Sequence, residues 1–180
     1  MNGAPLPVGS KLSALVLAGG ASRRMGGRDK GLEPFLGLPM VGHVTEALAP
    51  SVDELVIVAN RNLAAYRRLG HTTITDPNGI RRGPAAAVHA AIARLRHEWV
   101  LLAPCDMPRY RALWPARLVA RQRATGAPVV IAHDGERLQP GIALFHAPTL
   151  RQRLVGPVPS RLTDLLTGGP HAYCDLSDDR

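Results

Sequence analysis

The chain is poor in cysteine, in histidine clusters and in long apolar runs, and each shortage excludes a class of protein. Its two cysteines, Cys105 and Cys174, lie far apart in 180 residues and predict reduced thiols rather than a disulfide scaffold. The seven histidines have no zinc-ligand spacing with one another or with the cysteines, which argues against a structural metal site. No segment approaches the roughly 18 consecutive apolar residues of a membrane span, so we expect a cytoplasmic protein without a membrane partner.

The chain is strongly positive, and nearly all of its basic residues are arginines. The formal net charge is +8, and among the 22 basic residues only Lys11 and Lys30 are lysines. The arginines are scattered and aromatic residues make up 4% of the chain, so the sequence lacks the basic stripe and the stacking platform of a nucleic-acid binder. A positive field of this kind attracts anionic small molecules such as triphosphates.

Apolar runs alternate with amphipathic segments along the chain. The runs predict strands over residues 13–17, 54–59, 72–75, 99–103, 129–132 and 142–145. The amphipathic segments predict helices over residues 40–48, 63–69, 85–96, 110–125 and 149–155. The alternation predicts one α/β domain over residues 12–180, with a doubly wound, mostly parallel sheet and helices on both faces. The last two strands are joined too closely for a crossover helix and should pair antiparallel. Residues 1–11 should form a flexible lead-in.

The segment from Leu17 to Lys30 is the most informative part of the sequence. It follows the first predicted strand and contains four glycines, three arginines and one lysine. Glycines let backbone N–H groups approach a ligand closely, and such a turn forms an anion-binding concavity surrounded by the cationic side chains. The spacing fits neither the Walker A motif nor the dinucleotide-binding fingerprint. The segment therefore predicts a phosphate-binding loop of another kind.

This loop resembles the signature loop of the nucleoside triphosphate:phosphate nucleotidyltransferases, through Leu17–Gly20, Arg24-Met25-Gly26 and Lys30. Arg23-Arg24 and Asp29-Lys30 make it most similar to the molybdenum cofactor guanylyltransferases. The resemblance implies a Rossmann-like nucleotidyltransferase fold, the cofactor Mg²⁺, the substrates GTP and molybdenum-molybdopterin, and molybdoenzymes as recipients of the product. It also implies a set of nucleotide-binding residues: Leu17, Ala18, Gly19, Gly20, Gly27, Lys30, Asp76, Gly83 and Asp106.

Asp106 follows the strand predicted at 99–103 and lies between two prolines. Mg²⁺ binds one or two carboxylates together with phosphate oxygens, so a carboxylate held here suits the ion. The alternative is a cap for the helix predicted from Tyr110. The resemblance favours the metal, because the magnesium-binding aspartate of the family follows the same strand. Its neighbour Cys105 is interpreted as a small buried residue rather than a nucleophile.

Transfer of GMP requires attack on the α-phosphorus by a phosphate that is already ionised at neutral pH. The reaction therefore needs positioning and charge neutralisation rather than a nucleophilic side chain or a strong base. Arg24 and Lys30 are assigned to the charge of the transition state and of pyrophosphate, and Asp106 to the metal.

Each of three other polar segments has two possible interpretations from the sequence. Asp76 belongs to an Asp-Pro-Asn-Gly turn, yet the resemblance favours nucleotide binding. Arg81-Arg82 contact phosphate or lie in a solvated loop. Arg137 and Gln139 contact the pterin or belong to a charged hairpin turn.

Three departures from the family pattern bear on specificity. Val58 stands where the family has an asparagine that contacts the nucleotide, and Ala87 stands where it has a glycine. The Phe-x-Asn-x-Asn-Thr-Pro segment that closes the active site in the family is absent before Arg180. The resemblance still predicts a guanylyltransferase, but these departures leave two alternatives open. One is a cytidylyl- or sugar-phosphate nucleotidyltransferase of the same fold, and the other is a catalytically weak protein that delivers the cofactor.

Overall fold

The computed structural model describes residues 5–18, 28–75 and 83–179, in which seven strands form one central sheet. These strands are β1 (Leu12–Leu17), β4 (Glu54–Val58), β5 (Thr72–Ile74), β6 (Trp99–Pro104), β7 (Val129–His133), β8 (Leu138–His146) and β9 (Ala172–Asp175). A separate hairpin pairs β2 (Pro34–Phe35) with β3 (Leu38–Pro39). The helices are α1 (Met40–Leu48), α2 (Leu63–Arg67), α3 (Pro84–Ile92), α4 (Trp114–Thr125), α5 (Ala147–Arg153) and α6 (Leu162–Thr167). None of these described helices has the length and apolarity to cross a bilayer.

The order of strands across the sheet is β5-β4-β1-β6-β8-β7-β9. Only β8 runs antiparallel to its neighbours, β6 and β7, which confirms the predicted mostly parallel sheet with one antiparallel excursion. From β1 the chain adds β4 and β5 on one side and then crosses to β6 on the other side. The order of strands thus reverses between β1 and β6. In open α/β sheets, ligands bind outside the carboxyl ends of the strands at such a reversal.

Both faces of the sheet are covered by helices, as a doubly wound fold requires. In β1, Ala14 and Val16 belong to a buried cluster with residues of α1, α2 and α4. Leu15 points the other way and belongs to a cluster with residues of α3, α5 and α6. Because successive side chains of a strand alternate between faces, one short apolar strand serves both halves of the core.

The structure differs from the sequence predictions mainly in the second half of the chain. Helix α4 begins at Trp114, where Pro115 occupies the first turn, rather than at Tyr110. Strand β8 begins at Leu138 rather than residue 142, because it continues past a register shift at Ile131/Ala132. Helix α6 and strand β9 were not predicted, since each is short and β9 is half exposed.

The lead-in predicted over residues 1–11 is anchored at Leu6 within its described part. The Leu6 side chain is buried, and its backbone N–H donates to the side-chain oxygen of Gln122 at 2.6 Å. The Arg123 guanidinium donates to the Leu6 carbonyl at 3.1 Å. These contacts tie the start of the described chain to helix α4.

Candidate functional site

The site lies at the point where the order of strands reverses. The Ala18 N–H donates to the Val58 carbonyl at 2.8 Å, and the Cys105 N–H donates to the Leu17 carbonyl at 3.1 Å. These bonds extend the ladder by one residue past the carboxyl ends of β1 and β6. They hold the start of the glycine-rich loop beside the segment that carries Asp106.

Lys30 and Asp106, predicted as site residues from separate motifs, meet in this structure. Lys30 lies in a one-turn 3-10 helix (Lys30–Leu32), and its Nζ is 3.5 Å from Oδ2 of Asp106. The two side chains are 47% and 41% exposed, so both remain accessible to a ligand. A cation and a carboxylate therefore stand together at this rim, an arrangement that suits an anionic phosphate ligand and a metal ion.

Asp29, immediately before Lys30, contacts three side chains of the segment that follows β4. Its side chain is 6% exposed, and its Oδ1 accepts a hydrogen bond from the Tyr66 hydroxyl at 2.6 Å. Its Oδ2 accepts from the side-chain amide of Asn62 at 3.1 Å and lies 3.5 Å from Nε of Arg61. The Arg61 guanidinium also donates to the Arg28 carbonyl at 2.9 Å. The region after β4 thus holds the last residues of the glycine-rich loop.

Neither Asp29 nor Tyr66 was predicted as a separate site residue from the sequence. Asp29 was visible only as a member of the loop motif. The sequence indicated Tyr66 only as an apolar position on a short helix, because its hydrogen-bond partner Asp29 lies 37 residues earlier.

Cys105 is packed behind the site rather than in it. Burial, with a smaller contribution from the Asp106 charge, raises the pKa of its thiol to about 12. The thiol therefore stays protonated at neutral pH, and the structure agrees with its interpretation as a small buried residue.

Gly83 precedes α3, as predicted, and lies after β5 on the side of the sheet that carries α3. Its φ is +84°, and a Cβ there would lie 3.0 Å from the Ser160 carbonyl oxygen. Glycine is therefore required at this position by both backbone conformation and space. Its assignment to nucleotide binding stays a prediction.

Val58 is buried among apolar side chains at the end of β4, with 1% of its surface exposed. Its side chain has no polar group, whereas the family pattern has an asparagine at this position. Ala87 lies in the second turn of α3 and packs against the same apolar cluster.

Several predicted site residues lie outside the described part of the chain. They are Gly19, Gly20, Arg24, Gly27 and Asp76, together with Arg81 and Arg82. Their roles therefore stay predictions.

The segment after β7 forms the charged hairpin turn that was one of its two interpretations. Asp134 Oδ1 accepts from the N–H groups of Glu136 and Arg137, and Oδ2 accepts from the side-chain amide of Gln139 at 2.9 Å. The turn lies at the carboxyl end of β7, on the same rim as Asp106. Contact of Arg137 or Gln139 with a pterin stays a prediction.

The family model of the MobA-like NTP transferase domain matches residues 14–160. The chain belongs to this family. It is therefore a nucleotidyltransferase, and the match covers the described members of the site from Leu17 to Asp106.

Relatives of this MobA-like chain include two molybdenum cofactor guanylyltransferases from Shewanella. The protein of Shewanella sp. strain MR-4 is 39% identical over 144 residues, which cover 80% of this chain and 73% of the relative. The protein of Shewanella pealeana is 38% identical over 145 residues, which cover 81% of this chain and 72% of the relative.

Solved structures share the fold at lower sequence identity. Molybdopterin-guanine dinucleotide biosynthesis protein A from Archaeoglobus fulgidus superposes with a TM-score of 0.73 and 20% identity, covering 92% of this chain and 84% of that one. A Mycobacterium tuberculosis protein in complex with manganese superposes with a TM-score of 0.71 and 16% identity, covering 93% of this chain and 89% of that one.

Proposed function

We propose that the chain transfers GMP from GTP to the terminal phosphate of molybdenum-molybdopterin and releases pyrophosphate. The observation that carries the proposal is the Lys30–Asp106 pair, 3.5 Å apart at the reversal point of a MobA-like sheet. The relatives that match most of this chain are molybdenum cofactor guanylyltransferases, which supports GTP and molybdopterin as the substrates.

The reaction forms a bond between a terminal phosphate oxygen of the pterin and the α-phosphorus of GTP. The bond from the α-phosphorus to the bridging oxygen breaks, and pyrophosphate leaves with the electron pair. Lys30 and Arg24 bind the triphosphate and balance the charge that develops on the leaving group. No side chain needs to remove a proton, which agrees with the protonated Cys105 thiol behind the site.

The nucleotide is proposed to lie along the rim between the two sides of the reversal point. Backbone groups of the loop bind its phosphates, and residues after β5 and before α3 bind its nucleoside. The residues assigned to these contacts are Leu17, Ala18, Gly19, Gly20, Gly27, Asp76 and Gly83.

Asp106 is the proposed ligand of the divalent ion, Mg²⁺. Its carboxylate is half exposed and faces Lys30, and a single accessible carboxylate suits an ion that also binds phosphate oxygens and water. Within residues 5–18, 28–75 and 83–179, no group of three or more His, Cys, Asp or Glu side chains could form a closed metal cage. The manganese in the M. tuberculosis neighbour supports a divalent ion in this fold. When bound, the ion supplies positive charge to the phosphate oxygens.

The identity of the nucleotide base needs a separate test, because the Val58 side chain at the end of β4 has no polar group. A sister enzyme specific for CTP would have the same loop and the same aspartate. Pyrophosphate release should therefore be measured with GTP and CTP in parallel, with molybdenum-loaded molybdopterin and Mg²⁺. Release with GTP alone is expected, and release with CTP alone would reassign the substrate.

Variants of the charged pair test the mechanism. Lys30→Met and Asp106→Asn should each lower kcat about a hundredfold or more, because each removes charge that acts on the transition state. Lys11→Met removes the other lysine of the chain, which is exposed before β1, and should leave kcat unchanged. Full turnover by either site variant would refute the mechanism. Nucleotide binding without pyrophosphate release by the wild type would favour the cofactor-delivery alternative.

A further inference from the structure

Tyr66 reaches the two chain segments that carry Lys30 and Asp106. It lies on α2, its side chain is fully buried, and its hydroxyl donates to Asp29 at 2.6 Å. Asp29 directly precedes Lys30. The bond therefore fixes the backbone immediately before the cation of the site.

The residue after Lys30 contacts the same hydroxyl. A Cβ added to Gly31 would lie 2.6 Å from Oη of Tyr66 and 2.9 Å from Sγ of Cys105. Gly31 is therefore packed directly against both side chains. Both sequence neighbours of Lys30 therefore contact Tyr66: Asp29 through a hydrogen bond and Gly31 through packing.

Cys105 connects this packing to the second segment. It directly precedes Asp106, and its backbone N–H donates to the Leu17 carbonyl at 3.1 Å. The Tyr66 hydroxyl, Gly31 and the Cys105 side chain thus pack together behind the pair that faces the solvent. Lys30 and Asp106 are each adjacent in sequence to a member of this packed group.

The Tyr66 hydroxyl acts as a constant donor. Burial and its hydrogen bond to Asp29 raise its pKa well above the ordinary value, so it keeps its proton at any working pH. Hydrogen bonds to a carboxylate are stronger than those between neutral groups. Removing this donor therefore loosens a strong constraint without changing the charge of the site.

We infer that Tyr66, through Asp29 and Gly31, is a positioning residue that sets the distance between Lys30 and Asp106 for nucleotidyl transfer. This inference rests on the proposed function, since it assumes that Lys30 and Asp106 act together on the triphosphate. Tyr66 touches neither substrate nor metal in this role. Its effect is transmitted through the turn Lys30–Leu32.

The test compares Tyr66→Phe with Tyr110→Phe. Both variants remove one hydroxyl from a buried ring and keep the ring itself. Tyr110 follows the same β6 segment, but its hydroxyl has no hydrogen-bond partner among the described residues. It is therefore a matched control for the loss of a buried hydroxyl.

Tyr66→Phe should lower kcat about tenfold or more, since small displacements of catalytic groups carry large costs in rate. The Kd of GTP measured at equilibrium should change less than about threefold. The amides of Leu32 and Glu33, which donate to the carbonyls of Asp29 and Lys30, should exchange with solvent faster relative to those of β1. Tyr110→Phe should leave kcat and these exchange rates unchanged.

Unchanged exchange at Leu32 and Glu33 in Tyr66→Phe would overturn the inference, and so would faster exchange with unchanged kcat. A loss that appears equally in Tyr110→Phe would also overturn it, since any buried hydroxyl would then have the same effect. Wild-type protein that releases no pyrophosphate with either nucleotide would refute the proposed function instead. The exchange comparison would then decide alone whether Tyr66 holds the turn.

Discussion

Position 31, in the turn that carries Lys30, has no room for a side chain. An alanine methyl there would lie 2.6 Å from the Tyr66 hydroxyl oxygen and 2.9 Å from the Cys105 sulfur. We therefore expect Gly31→Ala to lower the free energy of unfolding by about 1–3 kcal/mol, the usual cost of overpacking a well-filled site. Urea denaturation measures this change.

A matched glycine substitution should have the opposite effect on the free energy of unfolding. Gly42 lies inside α1, and a Cβ there would be 3.7 Å from its nearest neighbours, an ordinary contact distance. Gly42→Ala should raise the free energy of unfolding by about 0.5–1 kcal/mol, because alanine loses less backbone entropy in a helix. A Gly31→Ala protein as stable as the wild type would show that the turn moves freely away from Tyr66.

The residues that meet at the rim were predictable in part, whereas their chemical roles stay predictions. Lys30 was predicted because a lysine after a glycine-rich loop suits a triphosphate. Asp106 was predicted because an aspartate after a strand suits Mg²⁺ and the family resemblance favours the metal over a helix cap. The role of Asp29 was not predictable, because it depends on Tyr66, Asn62 and Arg61 from another segment. Tertiary contacts of this kind have no signature in residue type or spacing.

The hairpin of β2 and β3 contains a turn that its sequence fits poorly. Leu36 and Gly37 have φ values of +45° and +88°, and Leu36 is 85% exposed. Two-residue turns with positive φ at both positions favour Asn-Gly, because a branched apolar residue is strained in this region. Leu36→Asn should therefore raise the free energy of unfolding by about 1 kcal/mol.

Thermal and urea denaturation of Leu36→Asn measure the gain, and Val155→Asn provides the control. Val155 is 87% exposed but does not have a positive φ, so the same change in polarity should leave stability unaltered there. Equal gains in both variants would mean that loss of exposed apolar surface, rather than relief of strain, stabilises the protein.

At the scale of elements, periodicity predicted most of the fold. Helix α1 has the predicted bounds, and the first four predicted strands overlap those of the sheet with ends within one residue. The predictions failed where tertiary pairing overrides the local pattern. Pro140 and Gly141 precede the apolar run of β8, yet the strand extends back to Leu138. Leu138 and Gln139 pair with β7 beyond the register shift at Ile131/Ala132. Residues 172–175 form an edge strand only because β7 lies beside them.

At the scale of the whole molecule, strand order determines where the site lies. Sequence alternation predicted a mostly parallel sheet, but not which strands would be neighbours. The central position of β1 between β4 and β6 brings Leu17, Val58 and Pro104 into register at that rim. A rearranged order of the same strands would separate Lys30 from Asp106.

Alkaline pH should destabilise the whole molecule through three buried acids. Burial raises the pKa of the Cys105 thiol to about 12 and raises the pKa values of Tyr66 and Tyr110 above their ordinary value of 10. Each group then keeps its proton in the native state at a pH where the unfolded chain has lost it. Their stabilising effect is complete below about pH 8 and decreases as pH rises. Above the ordinary pKa of each group the decrease approaches about 1.4 kcal/mol per pH unit for each proton.

Tyr110→Phe isolates one of these protons. Its hydroxyl has no partner among the described residues, so at pH 8 the variant should be as stable as the wild type or slightly more stable. Between pH 10 and pH 11 the variant should gain about 1 kcal/mol over the wild type, because the unfolded wild-type chain loses the Tyr110 proton over this range while the native state keeps it. Urea denaturation at several pH values from 8 to 11 gives both quantities. Parallel decreases in stability for the two proteins would mean that the Tyr110 hydroxyl titrates equally in the native and unfolded states, and that its burial leaves the alkaline stability of the molecule unchanged.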